Sequence, residues 1–129
     1  MRVFLATSFS TKVDQNGIVL PEFRQKVEAI IKRYEVAGRQ VYCAARNEKW
    51  KIAAPEKASD ELARDFENIK LSDEFVAFID DAISAGVQME IGYALAVGKR
   101  ITIITEGKTV LNWTNQALVG MPNVSHLVI

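Results

Sequence analysis

The sequence has few of the features that mark a secreted, membrane-bound or nucleic-acid-binding protein. Its 129 residues include one cysteine and one histidine, and 16 basic residues balance 16 acidic ones. The single cysteine, Cys43, excludes a disulfide within these residues and fits a reducing compartment, and we interpret it as core packing. A net charge of zero provides no basic field for nucleic acid or for an anionic membrane. We therefore expect a cytoplasmic protein whose partners include neither a nucleic-acid polymer nor a membrane.

Long apolar runs and metal ligands are also scarce. The first apolar run, residues 3–6, is too short for a signal or membrane segment. One histidine, His126, cannot build a histidine-based metal site, and we interpret it as structural. Asp80 and Asp81 could bind a metal or cap the next turn, but two carboxylates without a nearby histidine make a dedicated metal site a poor prediction. We therefore expect no metal site.

What the sequence does contain is a regular alternation of strand and helix patterns. The predicted strands cover residues 2–7, 40–44, 74–79, 99–105 and 124–129. The predicted helices cover residues 21–37, 55–70 and 109–118, with another around Glu90. This alternation predicts an α/β fold with a five-stranded parallel sheet covered on both faces, in one domain spanning residues 1–129. Right-handed crossovers favour a flavodoxin-like, Rossmann-like three-layer sandwich with strand order 2-1-3-4-5.

In such folds, ligands bind outside the carboxyl ends of the strands, near the point where the strand order reverses. The predicted ends carry polar residues in four places: residues 7–8, 46–50, 80–84 and 105–106. Glu90 lies in the first turns of the helix after the third strand, so we expect it near the same crevice. The amino-terminal end of that helix also favours the ionised form of its side chain.

Glu90 is the most informative of these residues. It is the only charged side chain between Asp81 and Lys99. The surrounding stretch predicts a short helix without a polar face, and such helices are normally buried. A buried carboxylate is costly unless it is paired, and no Lys or Arg lies three or four residues away on either side. This pattern is typical of a catalytic carboxylate. The alternatives are a Glu side chain that reaches the surface or one that pairs with a distant Arg.

Several other residues allow both a functional and a structural interpretation. The loop from Ser84 to Gly86 offers a hydroxyl and helix N–H groups, a generic anion site, but an ordinary serine cap explains it equally well. Asp65 lies on a highly charged helix and could simply belong to a solvated face. Trp50 lies among polar residues, where its ring could stack on a base. Trp113 is interpreted as packing.

Three segments resemble the nucleoside 2-deoxyribosyltransferase superfamily. Residues 86–99, GVQMEIGYALAVGK, resemble its nucleophile motif, whose glutamate attacks the anomeric carbon of deoxyribose. Residues 65–73 resemble the segment whose first aspartate contacts the base and handles its proton. Residues 3–8 resemble the first strand and the sugar-binding turn. The resemblance implies that Glu90 is the nucleophile and that Asp65 is the proton donor.

The chain departs from that pattern at identifiable positions. Transferases carry an aspartate for the sugar 5′-hydroxyl where this chain has Ser84, whereas related 2′-deoxynucleoside 5′-phosphate N-hydrolases use a serine there on the 5′-phosphate. A carboxylate would repel a phosphate, but a hydroxyl with helix N–H groups would accept it. Ser8 matches a phosphate-contacting serine of those hydrolases. Their following basic residue is Ser10 here, with Lys12 as a nearby substitute. Phe4 replaces a tyrosine that hydrogen-bonds the catalytic carboxylate in relatives.

The resemblance implies cleavage of the N-glycosidic bond of a 2′-deoxynucleoside 5′-monophosphate, without metal or organic cofactor. It also implies a homodimer or larger assembly, with Asn112 of a neighbouring subunit completing the pocket. One alternative is a nucleoside 2-deoxyribosyltransferase that acts on free nucleosides, against which Ser84 argues. Another is a non-catalytic nucleotide-binding or sensor domain, which Phe4 favours.

Overall fold

The computed structural model describes residues 1–81 and 84–129, and five parallel strands form the centre of this part of the chain. The strands are β1 (Arg2–Thr7), β2 (Gln40–Cys43), β3 (Glu74–Phe78), β4 (Arg100–Thr105) and β5 (Val124–Val128). Their order is β2-β1-β3-β4-β5, which confirms the predicted α/β fold and the predicted strand order.

The helices lie on both faces of this sheet. They are α1 (Pro21–Val36), α2 (Ala44–Asn47), α3 (Ala58–Leu71), α4 (Ala85–Ala96) and α5 (Trp113–Leu118). Short 3-10 turns occur at Phe9–Thr11 and Pro55–Lys57. None of the helices in the described ranges has the length and apolarity needed to cross a membrane.

The structure differs from the prediction most clearly in two places. The segment predicted as a loop after β2 contains α2, and the last helix begins at Trp113 instead of residue 109. The later start has a local cause, because the Asn112 side chain accepts a hydrogen bond from the Asn115 N–H at 2.8 Å and so caps α5.

Alternating side chains divide the core into two clusters. On the α1 face of the sheet, Leu5 and Phe78 pack with the apolar residues of α1. On the opposite face, which we call the α4 face, Phe4 and Phe75 pack with residues of α3, α4 and α5. Because β1 is an inner strand, between β2 and β3, both of its faces are covered, and each face can carry its own set of functional side chains.

Helix α4 is not buried all round, so the prediction from its composition is wrong for the helix as a whole. Its inner side buries Val87, Glu90 and Ile91, whereas Met89 on the outer side is 51% exposed. The physical reason is that α4 is one helix in an outer layer and covers the sheet with one side only. The interpretation of Trp113 as a packing residue is also wrong, because its side chain is 81% exposed. The outer surface of the α4 face is therefore apolar in places.

Candidate active site

Glu90 and Asp65 line the same cavity, although they are 25 positions apart in the sequence. Glu90 comes from the buried side of α4, and Asp65 comes from the last two turns of α3, which packs against α4. The cavity has a volume of about 20 Å³. The remaining wall consists of the end of β1, Phe9 and the start of α2; its residues are Phe4, Leu5, Ala6, Thr7, Phe9, Ala44 and Ala45.

The Glu90 carboxyl is buried without a partner. The residue is 8% exposed, and its side chain makes no hydrogen bond or ion pair with residues 1–81 or 84–129. Burial, and then the negative charge of Asp65, raises the pKa of Glu90 to about 8. Phe4 lines the same cavity with an apolar ring that is fully buried. Glu90 thus combines high intrinsic reactivity when ionised with a strong tendency to hold a proton at rest.

The Asp65 carboxyl is less buried but is also under-satisfied. Its Oδ1 atom is buried without a hydrogen-bond partner among the described residues. Burial, followed by the charges of Glu61 and Glu48, raises the pKa of Asp65 to about 6, whereas Arg64 and the Tyr42 hydroxyl lower it. Asp65 is therefore not the freely solvated residue of an exposed helix face.

These two carboxyls titrate as a coupled pair. With pKa values of about 6 and about 8, the pair holds a single proton at neutral pH. One carboxyl can then act as a nucleophile while the other donates a proton, which is the division of labour in retaining glycosidases. The chemical requirement is only that the proton is on Asp65 when Glu90 attacks.

Ser84 and Ser8 line a narrow cleft next to this cavity, as predicted for neighbouring strand ends. Ser84 is 8% exposed and is the N-cap of α4, because its Oγ accepts a hydrogen bond from the Val87 N–H at 3.2 Å. Gly86 lies in the exposed first turn, where an added Cβ would come no closer than 3.9 Å to the Ser84 Oγ. Glycine is therefore not sterically required there. The cap and the predicted anion site are compatible, since one hydroxyl can serve both.

Asp80 links Lys12 to Ser8. The Lys12 Nζ is 3.2 Å from one oxygen of Asp80, and the Ser8 Oγ donates to the other at 3.5 Å. The charge of Lys12, the predicted substitute for a basic residue, is thus partly balanced by Asp80. Asp81 accepts a hydrogen bond from the Val110 N–H at 3.1 Å. Residues 82 and 83, part of the predicted polar segment, lie outside the described residues.

The structure does not bring Trp50 to this site. Its side chain is 7% exposed within the core cluster of the α1 face, and the Arg24 guanidinium lies 4.9 Å from the ring centroid. The backbone of Lys49 and Trp50 is left-handed, with φ of 57° and 61°, and this turn directs the chain back into the core. The ring could stack on a base near Glu90 only by leaving the core, so the sequence-based prediction is not supported.

Asn112 does not line the cavity within its own subunit. Its side-chain oxygen is already used to cap α5. Thr7, which the sequence analysis placed at a strand end, lines the cavity, whereas Phe9 and Tyr42, which lie in or beside it, were missed. The alternation along β2 could have found Tyr42, because it predicts which side chains of β2 share a face.

A second, larger crevice lies on the opposite side of the sheet. We call it the α1 crevice; it has a volume of about 530 Å³ and an aromatic floor of Phe23 and Phe78. Both of its lysines are in ion pairs: Lys26 binds Glu106 at 3.0 Å, and Lys12 binds Asp80. The α1 crevice and the Glu90 cavity therefore differ in size and in the state of their charges.

Comparison with known proteins identifies the family of the chain. Residues 11–123 match the family model described as nucleoside 2-deoxyribosyltransferase. A CMP N-glycosidase from Clostridium botulinum, BcmB, shares 26% sequence identity with a TM-score of 0.69, covering 100% of this chain and 88% of that one. BlsM, solved in solution, shares 27% identity with a TM-score of 0.74, covering 98% and 79% of the two chains.

A 2-deoxyribosyltransferase from Bacillus psychrosaccharolyticus shares 19% identity with a TM-score of 0.63, covering 88% of this chain and 79% of that one, which is a likeness of fold. No curated protein matches the chain. The family model nevertheless spans both Asp65 and Glu90. The chain therefore belongs to the nucleoside 2-deoxyribosyltransferase family and, at the level of that family, is an enzyme that cleaves or transfers N-glycosidic bonds.

Proposed function

We propose that this enzyme hydrolyses the N-glycosidic bond of a 2′-deoxynucleoside 5′-monophosphate. The observation that carries the proposal is the pairing of two under-satisfied carboxyls, Glu90 and Asp65, in one cavity beside a serine-capped helix. A buried carboxyl without a partner destabilises the fold, and such groups cluster at catalytic sites.

In the first step, a Glu90 oxygen attacks C1′ on the face opposite the base. The C1′–N bond breaks, the base leaves with the bonding electron pair, and Asp65 gives its proton to the base. In the second step, water attacks C1′ of the glycosyl-enzyme and passes a proton to the Asp65 carboxylate. The bond to Glu90 breaks, the sugar phosphate is released, and both carboxyls return to their starting states.

Ser84 supports a phosphorylated substrate. It occupies the N-cap of α4, where the hydroxyl and the positive end of the helix dipole favour an anion. Ser8 lies across the same cleft, and Lys12 is within reach of it through Asp80. The Asp80 carboxylate opposes an anion at this point, so we expect phosphate binding to draw Lys12 away from Asp80.

Substrate entry requires the cavity walls to separate. A volume of about 20 Å³ holds roughly one water molecule, whereas binding sites for small molecules span some 300–1,000 Å³. Phe9, which lies in the 3-10 turn after β1, closes one side of the cavity. We infer that this turn moves when a nucleotide binds.

Transfer of the sugar to a second base is the alternative that the family supports, since it would use the same glycosyl-enzyme. A non-catalytic nucleotide-binding role is favoured by Phe4 alone, because its ring gives Glu90 no hydrogen bond. One experiment separates the three: incubation with CMP, dCMP, other nucleoside and 2′-deoxynucleoside 5′-monophosphates and the free nucleosides, with and without an acceptor base. Free base from 2′-deoxynucleotides alone is the expected result. Transfer from free nucleosides would establish the transferase, and binding without base release would establish the sensor.

We also propose a homodimer in which Asn112 of the neighbouring subunit faces the pocket. Exposed apolar residues on the α4 face support an interface, since Met89, Val110 and Trp113 are 51%, 78% and 81% exposed. Two-fold symmetry is the default for such an assembly. Sedimentation at high micromolar protein should show a dimer, and a monomer at that concentration would remove Asn112 from the site.

A further inference from the structure

Tyr42 lies directly beside Phe4 on the face of the sheet that carries the Glu90 cavity. The parallel register pairs Phe4 with Tyr42, so both side chains leave the sheet on the same side. Their rings are stacked, with centroids 5.4 Å apart and planes 21° from parallel. The side chain at position 4 has no hydroxyl in this chain, but Tyr42, its partner on the adjacent strand β2, has one.

The Tyr42 ring is held on more than one side. In addition to the Phe4 stack, the Arg2 guanidinium lies over the ring, 5.3 Å from its centroid. The Arg2 Nη2 donates a hydrogen bond to the Asn68 side-chain oxygen, and Asn68 lies on α3 one turn after Asp65. These contacts join β1, β2 and α3, and they fix Tyr42 next to the helix that carries Asp65.

The electrostatics of Tyr42 place its hydroxyl at the same helix. Burial raises the pKa of Tyr42, and hydrogen bonding to the Asn47 side chain lowers it. Of the nearby charges, those of Asp65 and Glu61 raise this pKa, and that of Arg64 lowers it. The hydroxyl in return lowers the pKa of Asp65. Because Tyr42 also stacks on Phe4, which lines the cavity together with Asp65, the Tyr42 hydroxyl lies in the surroundings of the Asp65 carboxyl.

We propose, on the basis of the function proposed above, that the Tyr42 hydroxyl positions the Asp65 carboxyl for proton transfer to the departing base. In this arrangement the hydroxyl would donate to Oδ2, which would leave Oδ1 as the oxygen that carries the proton. Oδ1 is the buried atom without a partner, which leaves it available to the base. In this chain, the phenol thus serves the acid, whereas Phe4 leaves the nucleophile without such a donor.

The groups around Asp65 determine what removal of this hydroxyl would do. Glu61 and Arg64 lie on α3, Glu48 follows α2, and Glu90 faces Asp65 from α4. The charge of Asp65 also contributes to raising the pKa of the buried Cys43 thiol at the end of β2. Because Tyr42 interacts with the ionised form of Asp65, it affects the first proton loss of the Asp65–Glu90 pair. Both species in the second proton loss contain ionised Asp65, so that step should not change.

The test is Tyr42→Phe, which keeps the ring and removes only the hydroxyl. We expect kcat to fall about tenfold with KM within twofold, since the positioning of an acid affects the chemical step. In the profile of kcat/KM against pH, the apparent pKa of the acid limb should rise by about one unit, and that of the alkaline limb should not change. Tyr34→Phe is the matched control: Tyr34 also lies under an arginine, Arg39, but packs against the core cluster of the α1 face.

A carboxyl ¹³C NMR titration of Asp65 provides a readout that does not need turnover. Its midpoint should rise in Tyr42→Phe and stay unchanged in Tyr34→Phe. If the wild type releases base but Tyr42→Phe changes neither the acid limb nor the Asp65 midpoint, the positioning role is overturned while the proposed function stands. If the wild type releases no base, the proposed function fails, and the NMR midpoint alone decides whether Tyr42 acts on Asp65.

Discussion

The two crevices at the carboxyl end of the sheet differ in size and in the surroundings of their carboxyls. The α1 crevice is large, about 530 Å³, and both of its lysines are in ion pairs, Lys26 with Glu106 and Lys12 with Asp80. The Glu90 cavity is about 20 Å³, yet it holds two carboxyls with strongly raised pKa values. Under the proposed function, the small cavity with two strongly shifted carboxyls is the reactive site, although the α1 crevice is much larger.

The energetic reason is that an ion pair stabilises a carboxylate and thereby also lowers its reactivity. A carboxylate in an ion pair keeps a low pKa and is a poor base and a poor acid near neutral pH. The apolar residues of the α4 face bury Glu90, and Arg64 offsets the raised pKa of Asp65 only in part, so the protonation states of both carboxyls can change during a reaction. The fold tolerates this because one proton is shared by the pair at neutral pH.

The largest effect should come from Glu90→Gln compared with Glu106→Gln in the α1 crevice. Removal of the nucleophile should lower base release by three orders of magnitude or more, because the other carboxyl of the cavity, Asp65, is assigned to the departing base and not to C1′. The control removes a paired carboxylate and should leave kcat within twofold. Equal losses in the two variants, or near wild-type release by Glu90→Gln, would remove Glu90 from the mechanism.

Ser84→Asp should have the next largest effect, on the choice of substrate. Aspartate is also a good N-cap, so α4 should be retained. Like charges about 4 Å apart at an effective dielectric near 20 repel by about 4 kcal/mol, roughly a thousandfold in affinity. The kcat/KM ratio of monophosphate to nucleoside should therefore reverse, whereas Ser125→Asp on exposed β5 should leave it unchanged. A wild type that already prefers free nucleosides would instead favour the transferase.

Asp65→Asn should have a smaller effect that depends on the leaving group. Loss of a general acid lowers turnover by about a hundredfold for bases that leave poorly, and less for bases that leave well. Glu67→Gln, two positions along the same helix on an exposed site, is the matched control. A uniform and slight decrease for all bases would show that Asp65 is only a residue of the helix surface.

The smallest effect concerns stability, again with Glu106→Gln as the control. Folding raises the pKa of Glu90 from its ordinary value of 4.5 to about 8, so the folded state retains a proton that the unfolded state releases. The free energy of unfolding of the wild type should therefore fall as pH rises from about 4.5 to about 8. Glu90→Gln should remove this part of the decrease, on the order of 3 kcal/mol between pH 5 and pH 8. Parallel denaturation profiles in both variants would contradict the raised pKa.

The sequence alone determined the sheet and the burial of Glu90. Alternating strand and helix patterns specify a parallel sheet because short connections and right-handed crossovers allow few arrangements. Glu90 is buried because its neighbours in sequence, Val87 and Ile91, share its side of the helix, which is a local property. Its position near the carboxyl ends of the strands follows from its place after β3.

The tertiary structure decided which residues meet across the sheet. Asp65 reaches Glu90 because α3 and α4 cover the same face, and Tyr42 reaches Asp65 because parallel register places it beside Phe4. Trp50 is removed from the site by a left-handed turn that its sequence does not indicate. Contacts between distant segments depend on which side of the sheet each crossover takes, and periodicity within one segment carries no information about that choice.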